Sequence, residues 1–274
     1  MGESDKPRFR YSTSEMARDA VELLDQLGWA NQRELNVVGV SMGGMIAQEL
    51  GLLIPDRIAS LSLISTAARI VNTVGFVENL RNRANLFIPR SVDSQLSTIR
   101  PQLFSASFLA APDADATTTT SEDGTPTTTG FPTNADRFSA QELAKRRSEN
   151  FTRAGFILQA IAAGWHAKTE EQLKELGDRV GRDRILIMHG TEDRMITVAH
   201  AEVLAKGLGW TDDAPAAAAA AESEAPSGGG GGGDGQARPK KVIFQGRGHV
   251  LLMEERQEFL RLVEEVVEKG ARQQ

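Results

Sequence analysis

The chain has 274 residues, of which 40% are hydrophobic and 25% charged, an ordinary balance for one or two globular domains. A formal net charge of −6 disfavours nucleic acid as a main partner, and Lys145-Arg146-Arg147 reads as a solvated helix face. There is no cysteine, so disulfides, thiolate metal sites and a cysteine nucleophile are excluded. No run of about 18 apolar residues predicts a membrane span, and no leader pattern stands at the start. Neither metal-ligand spacing nor a phosphate or dinucleotide fingerprint occurs. The expectation is a cytoplasmic protein without metal or cofactor.

In chain order, Ser12-Thr13-Ser14-Glu15 offers a capping box. It opens a helix whose apolar face is read as Met16, Ala20, Leu23, Leu24 and Leu27, with Gly28 as its stop. The apolar run Leu35-Asn36-Val37-Val38 predicts a strand. A helix pattern follows (Met45, Ile46, Leu50, Leu53), then Pro55-Asp56-Arg57-Ile58 and a second apolar run, Leu61-Ser62-Leu63-Ile64. Strand, helix and strand make a βαβ unit and hence a parallel sheet. The turn between strand and helix is Gly39-Val40-Ser41-Met42-Gly43, a G-x-S-x-G nucleophile elbow in the context that motif needs. Gly39 and Gly43 are expected to be small because strand and helix approach closely beneath Ser41. The Met42 N–H would point at a developing oxyanion. The competing reading is a tight turn with no chemistry.

From Thr66 to about Gly181 the strand–helix alternation lapses. Helical patterns dominate at Val77–Leu86, Ser91–Leu103, Ala140–Ser148 and Phe151–Ala163. Phe87, Phe104, Phe108, Phe156, Ile157, Ile161 and Trp165 could line an apolar acyl or alcohol pocket or simply pack this region, and His166 beside Trp165 has the same two readings. Ala111–Thr133 and Asp212–Pro239 are of low complexity and are expected to be disordered, because neither can bury enough apolar surface.

A serine hydroxyl needs a base, and the base needs an orienting carboxylate. Of the four histidines, His249 is the best base. It lies in Gln245-Gly246-Arg247-Gly248-His249, after the strand-like Lys241-Val242-Ile243-Phe244 and before a helix with Phe259, Leu262, Val263, Val266 and Val267 on one face. Asp193 follows the buried-type strand Ile185-Leu186-Ile187-Met188-His189-Gly190, so both stand at carboxyl ends of strands, where open α/β sheets place their sites. His189 reads as structural, His200 as a surface or packing residue, and Glu192 as a substitute acid.

The stretches Val37–Gln48, Pro55–Ile64, Ile185–Ile196 and Gly246–Val250, in the order Ser…Asp…His, resemble the α/β-hydrolase-fold superfamily, in its esterase/lipase-like form with an inserted cap. That resemblance implies an α/β fold, a partial α/β-hydrolase core with a mostly parallel sheet of about four strands. Residues 1–65 would be the nucleophile half, 66–180 a mainly helical cap or lid with a disordered loop 111–133, and 181–274 the acid and histidine half with a disordered loop 212–239. It makes Ser41 the nucleophile, His249 the base, Asp193 the orienter and Met42 an oxyanion donor, with a small ester or acyl substrate.

The family's nucleophile follows its fifth strand, and Met1-Gly2-Glu3-Ser4-Asp5 resembles the end of a loop after the fourth. The chain therefore reads as N-terminally truncated or as starting at a misassigned codon, with one edge of Leu35–Val40 unpaired and the second oxyanion donor missing. The reading is a serine hydrolase working through an acyl-enzyme. The alternatives are a non-catalytic binding protein of the same fold and an inactive fragment. Ester, amide, thioester, lactone and carbon–carbon substrates share these residues, and oligomeric state leaves no mark in the sequence.

Overall fold

The computed structural model describes residues 9–70, 91–120, 126–147, 152–210 and 238–272. Helix α1 (Thr13–Gln26) begins with the capping box read from the sequence: the Ser12 side chain accepts from Glu15 N, and Glu15 accepts from Ser12 N at 2.7 Å. It stops before Gly28, whose φ of 73° suits a residue without Cβ. Its inward face differs from the expected one. Ala17 is buried and Ala20 and Val21 pack on the core, whereas Leu23 and Leu27 are 56% and 53% exposed. The buried stripe runs i, i+3, i+4 from Ala17, and its small side chains suit close approach to a neighbouring helix.

The central sheet holds β1 (Leu35–Val40), β2 (Ile58–Ile64), β5 (Ile185–Gly190) and β6 (Lys240–Phe244), all parallel, in the order β1-β2-β5-β6. Every residue of β2 and β5 is buried, the signature of strands covered on both faces. Alternation assigns the faces. Leu61, Leu63, Ile185 and Ile187 join α2 (Met42–Leu53), α7 (Glu170–Val180) and α8 (Ala199–Gly207) in one cluster. Ile64, Leu186 and Met188 join Phe259, Leu262 and Val266 of α10 (Arg256–Ala271) in another. Each such side chain contributes about 1.5–3 kcal/mol by leaving water. In the described sheet β1 is an edge, as expected, and its Val38 is 45% exposed.

Between β2 and β5 three of the four expected helices are present as α3 (Val92–Leu103), α5 (Asn134–Arg147) and α6 (Arg153–Trp165), with a short α4 (Ala106–Ala110). Phe104 stacks on Phe108 at 5.3 Å and meets Phe138 edge-on at 5.1 Å, so these rings pack the helices together. The expectation of disorder over Ala111–Thr133 is corrected at the described residues, with 121–125 lying outside them. Thr117–Thr120 (β3) and Pro126–Thr129 (β4) form an antiparallel pair. Two physical causes stand out. The threonines are β-branched and suit a strand. Asp113, buried beside Arg137, accepts from the backbone N–H groups of Asp115 and Phe131 and closes the hairpin's base.

The predicted helix Val77–Leu86, Phe87, and the stretch from Asp212 to residue 237 lie outside the described residues. Among the described residues no helix is long and apolar enough to cross a membrane.

Candidate active site

Ladder hydrogen bonds continue one step past the strands and fix the loops at the carboxyl edge of the sheet. Ser41 N donates to Ile64 O at 2.9 Å, Ser65 N to Met188 O at 2.8 Å, and Thr191 N to Phe244 O at 3.0 Å. Ser41 is half-buried with φ 55° and ψ −122°, a conformation that a side-chain-bearing residue adopts only when its surroundings impose it. A Cβ at Gly39 would lie 2.5 Å from Gly43 O, so strand and helix do meet closely at that glycine. The same expectation for Gly43 is corrected: a Cβ there would meet nothing within 4 Å. The second crowded position is Gly44, against the Thr66 side chain at 2.6 Å, while Thr66 Oγ1 donates to Ser41 O at 2.7 Å and clamps the elbow. Met42 opens α2, where the leading N–H groups have no acceptor within the helix.

Asp193 and His249 are brought together. The His249 Nδ1 lies 2.7 Å from Asp193 Oδ2, with both residues buried. A carboxylate only accepts, so Nδ1 carries the proton, and Nε2 is left as an acceptor. The other oxygen, Oδ1, accepts from Met195 N and Ile196 N, each at 2.9 Å. His189, read from sequence as structural, also reaches this acid: its Nε2 is 3.1 Å from Asp193 Oδ2 and 2.6 Å from Ile196 O. Burial pushes the Asp193 carboxyl pKa up. Hydrogen bonds from His189 and His249, with the electrostatic attraction of the same two side chains, outweigh that and hold it below its ordinary value.

β1 and β6 stand three places apart in the sheet, so Ser41 and His249 leave strands separated by about 14 Å. The loop bearing His249 turns back over the sheet edge. A Cβ on Gly190, at the end of β5, would lie 2.2 Å from Arg247 O and 2.4 Å from Gly248 O, so the loop crosses directly above that glycine. Glu192 N donates to Arg247 O at 2.8 Å and fastens the crossing. Among the described residues no hydrogen bond joins the Ser41 hydroxyl to His249. Such bonds are often long without substrate and tighten in the complex.

Trp165 and His166 are placed elsewhere. They line a cavity of about 320 Å³ with Arg10, Thr13, Glu15 and Arg18, whose lining includes none of Ser41, Asp193 or His249. Trp165 is 66% exposed beneath the Arg10 guanidinium at 4.2 Å. His166 is buried, its Nδ1 2.9 Å from Thr13 Oγ1 and 3.5 Å from Glu49, which also pairs with Lys168 at 2.7 Å. This is a packing network that ties α1 to α2. His200 is buried against Thr197, and Glu192 is exposed. Among the described residues no group of three or more His, Asp or Glu could hold a metal.

Two residues at this edge went unread in the sequence. Ser65, with φ 46°, directly follows β2, and among the described residues its buried hydroxyl has no hydrogen-bond partner. Gly190 could have been suspected, because a glycine closing a buried strand signals close backbone approach.

A family model described as alpha/beta hydrolase fold matches residues 1–215. The poly(3-hydroxyalkanoate) depolymerase of Ectopseudomonas oleovorans is 31% identical over 115 residues, 41% of this chain and 38% of that protein. The match thus spans well under half the length of that curated relative. Among solved structures, a meta-cleavage product hydrolase from Pseudomonas fluorescens IP01 gives a TM-score of 0.61 at 16% identity, covering 100% of this chain and 77% of that one. A thermophilic esterase from Thermogutta terrifontis gives 0.64 at 17% identity, covering 98% and 77%. Likeness at those identities concerns the fold alone. With the family model spanning most of its length, the chain belongs to the alpha/beta hydrolase fold family.

Proposed function

We propose that the protein is a serine hydrolase that cleaves a carboxylic ester or related acyl bond of a small molecule. The observation that carries this reading is the buried 2.7 Å contact between His249 Nδ1 and Asp193 Oδ2, on the same sheet edge as the strained Ser41 turn.

Ser41 Oγ attacks the carbonyl carbon while its proton passes to His249 Nε2. The Met42 N–H donates to the resulting oxyanion. Asp193 holds the imidazole in the tautomer that accepts at Nε2 and stabilises the imidazolium once formed. His249 returns the proton to the departing alcohol, which leaves an acyl group on Ser41. A water then attacks that carbonyl, its proton passing to His249, and the acyl–Oγ bond breaks as His249 returns that proton to Ser41 Oγ and the acid departs. No external oxidant or cofactor enters this sequence. By their names the esterase acts on esters and the depolymerase on a poly(3-hydroxyalkanoate), which is compatible with this class and does not identify a substrate. Residues 1–65 and 181–274 serve as the two halves of the core, and residues 66–180 serve as a cap over the reacting edge. Its support is the Leu103 carbonyl seated on His249 N at 2.8 Å.

A non-catalytic binding role is favoured by one observation, the missing hydrogen bond between Ser41 and His249. Hydrolysis of short-chain 4-nitrophenyl esters separates the two readings. Turnover that disappears in Ser41→Ala supports the hydrolase. No turnover by folded protein supports the binding role, and turnover equal in both proteins removes Ser41 as the nucleophile.

A further inference from the structure

The carboxylate of Glu254, in the short helix α9 (Leu251–Glu254), lies where the histidine loop meets the helical segment between β2 and β5. Its Oε1 accepts from Gly248 N at 3.0 Å and from Ser105 N at 3.0 Å, and its Oε2 accepts from Ser105 Oγ at 2.6 Å. Ser105 caps α4, so one side chain grips both partners across 149 residues of sequence. The same joint is closed a second time by backbone, since His249 N and Val250 N both donate to Leu103 O, at 2.8 and 3.2 Å. Space is tight. A Cβ on Gly248 would lie 2.7 Å from Leu103 O, 2.7 Å from Glu254 Oε1 and 2.8 Å from Phe104 Cα. The His249 loop is therefore held from beneath by Gly190 and from above by Leu103 and Phe104, with Glu254 at its side.

We propose that Glu254 is a positioning residue of the hydrolytic site. Its carboxylate joins the helical segment to the backbone beside His249, so that the imidazole keeps its place only while that segment is docked. This rests on the serine-hydrolase reading above. The physical reason is that three donors converge on one acceptor group. A charged acceptor makes such bonds about twice as strong as neutral ones. Removing it leaves the Gly248 and Ser105 N–H groups unpaired in a place with no room for the loop to relax.

The test uses the full chain and a fluorophosphonate probe, scoring the labelling rate of Ser41 per folded molecule beside backbone hydrogen exchange over residues 246–250. Glu254→Ala and Glu254→Asp are expected to slow labelling by about tenfold or more, since a displacement of about 1 Å at a reacting group costs up to ~10² in rate. Exchange over the loop should accelerate in both. Glu254→Gln, which keeps Oε1 as an acceptor, should return labelling to within about threefold of the parent. Ser105→Ala removes only the arm to α4 and should slow labelling less than Glu254→Ala does.

Where Glu254→Ala does not fold, Glu254→Asp carries the comparison. Unchanged labelling and unchanged loop exchange in a folded Glu254→Asp or Glu254→Ala variant would overturn the proposal. If the parent chain itself is not labelled, the hydrolase reading fails and the positioning role falls with it. Loop exchange would then still report whether Glu254 anchors the loop.

Discussion

Asp193 Oδ2 lies 2.7 Å from His249 Nδ1, and neither residue is more than 5% exposed. An ion-dipole contact of this kind, out of reach of bulk water, fixes both the tautomer and the angle of the ring. Asp193→Asn would present an amide that can satisfy at most one orientation of its neighbours. It is expected to lower kcat by about 10³–10⁴ with little change in KM, measured on the 4-nitrophenyl esters. A loss below about tenfold would remove Asp193 from the mechanism.

The same oxygen also faces His189, which donates from Nε2. His189→Ala removes that donor and leaves Ile196 O without its partner. Chemical denaturation should show a loss of about 1–3 kcal/mol, the cost of unpairing buried polar groups. A stability equal to the parent would mean that the contact contributes nothing.

The two glycines of the elbow make opposite predictions. Gly39→Ala would drive a methyl group into Gly43 O and should cost several kcal/mol or prevent folding, in line with overpacking at rigid backbone. Gly43→Ala sits in the first turn of α2 with open space around it and should be neutral or stabilising by up to about 1 kcal/mol, as alanine favours helix. Thermal unfolding of the two variants gives the comparison. Equal destabilisation would contradict the packing described beneath Ser41.

Glu49 sets a pH dependence far from the reacting edge. Burial raises its carboxyl pKa, but hydrogen bonds and charge from His166 and Lys168 outweigh it and lower the value from 4.5 to about 2. A folded pKa below the unfolded one means that the unfolded chain binds more protons. The stability from Glu49 is therefore complete above about pH 4.5 and is lost as pH falls towards about 2. Glu49→Gln should flatten the fall in unfolding free energy across that window. A slope identical to the parent's would show that the network carries no linkage.

The sequence disclosed what depends on local pattern. The strand–turn–helix around Ser41, the capping box at Ser12 and the places of Asp193 and His249 just after strands were all legible, because each is a short-range signal. What depends on distant packing was not. The inward face of α1 follows its contact with α2, so Ala17 is buried while Leu23 is exposed. The crowding sits at Gly39 because the backbone of Gly43 turns back over it, and at Gly44 because the Thr66 side chain lies against α2. The hairpin at Thr117–Thr129 depends on Asp113 and Arg137, whose pairing low complexity concealed. Trp165 and His166 line a cavity beside the start of α1 whose lining lacks Ser41, Asp193 and His249, a placement that their adjacency in sequence does not reveal.

The measurement that bears most directly on the central claim is the intact mass and peptide map of the full chain after reaction with a fluorophosphonate, run beside Ser41→Ala. The account predicts one adduct, located on Ser41 and missing from the variant, with labelling suppressed in His249→Ala. No adduct on folded protein, or an adduct that persists in Ser41→Ala, would contradict it.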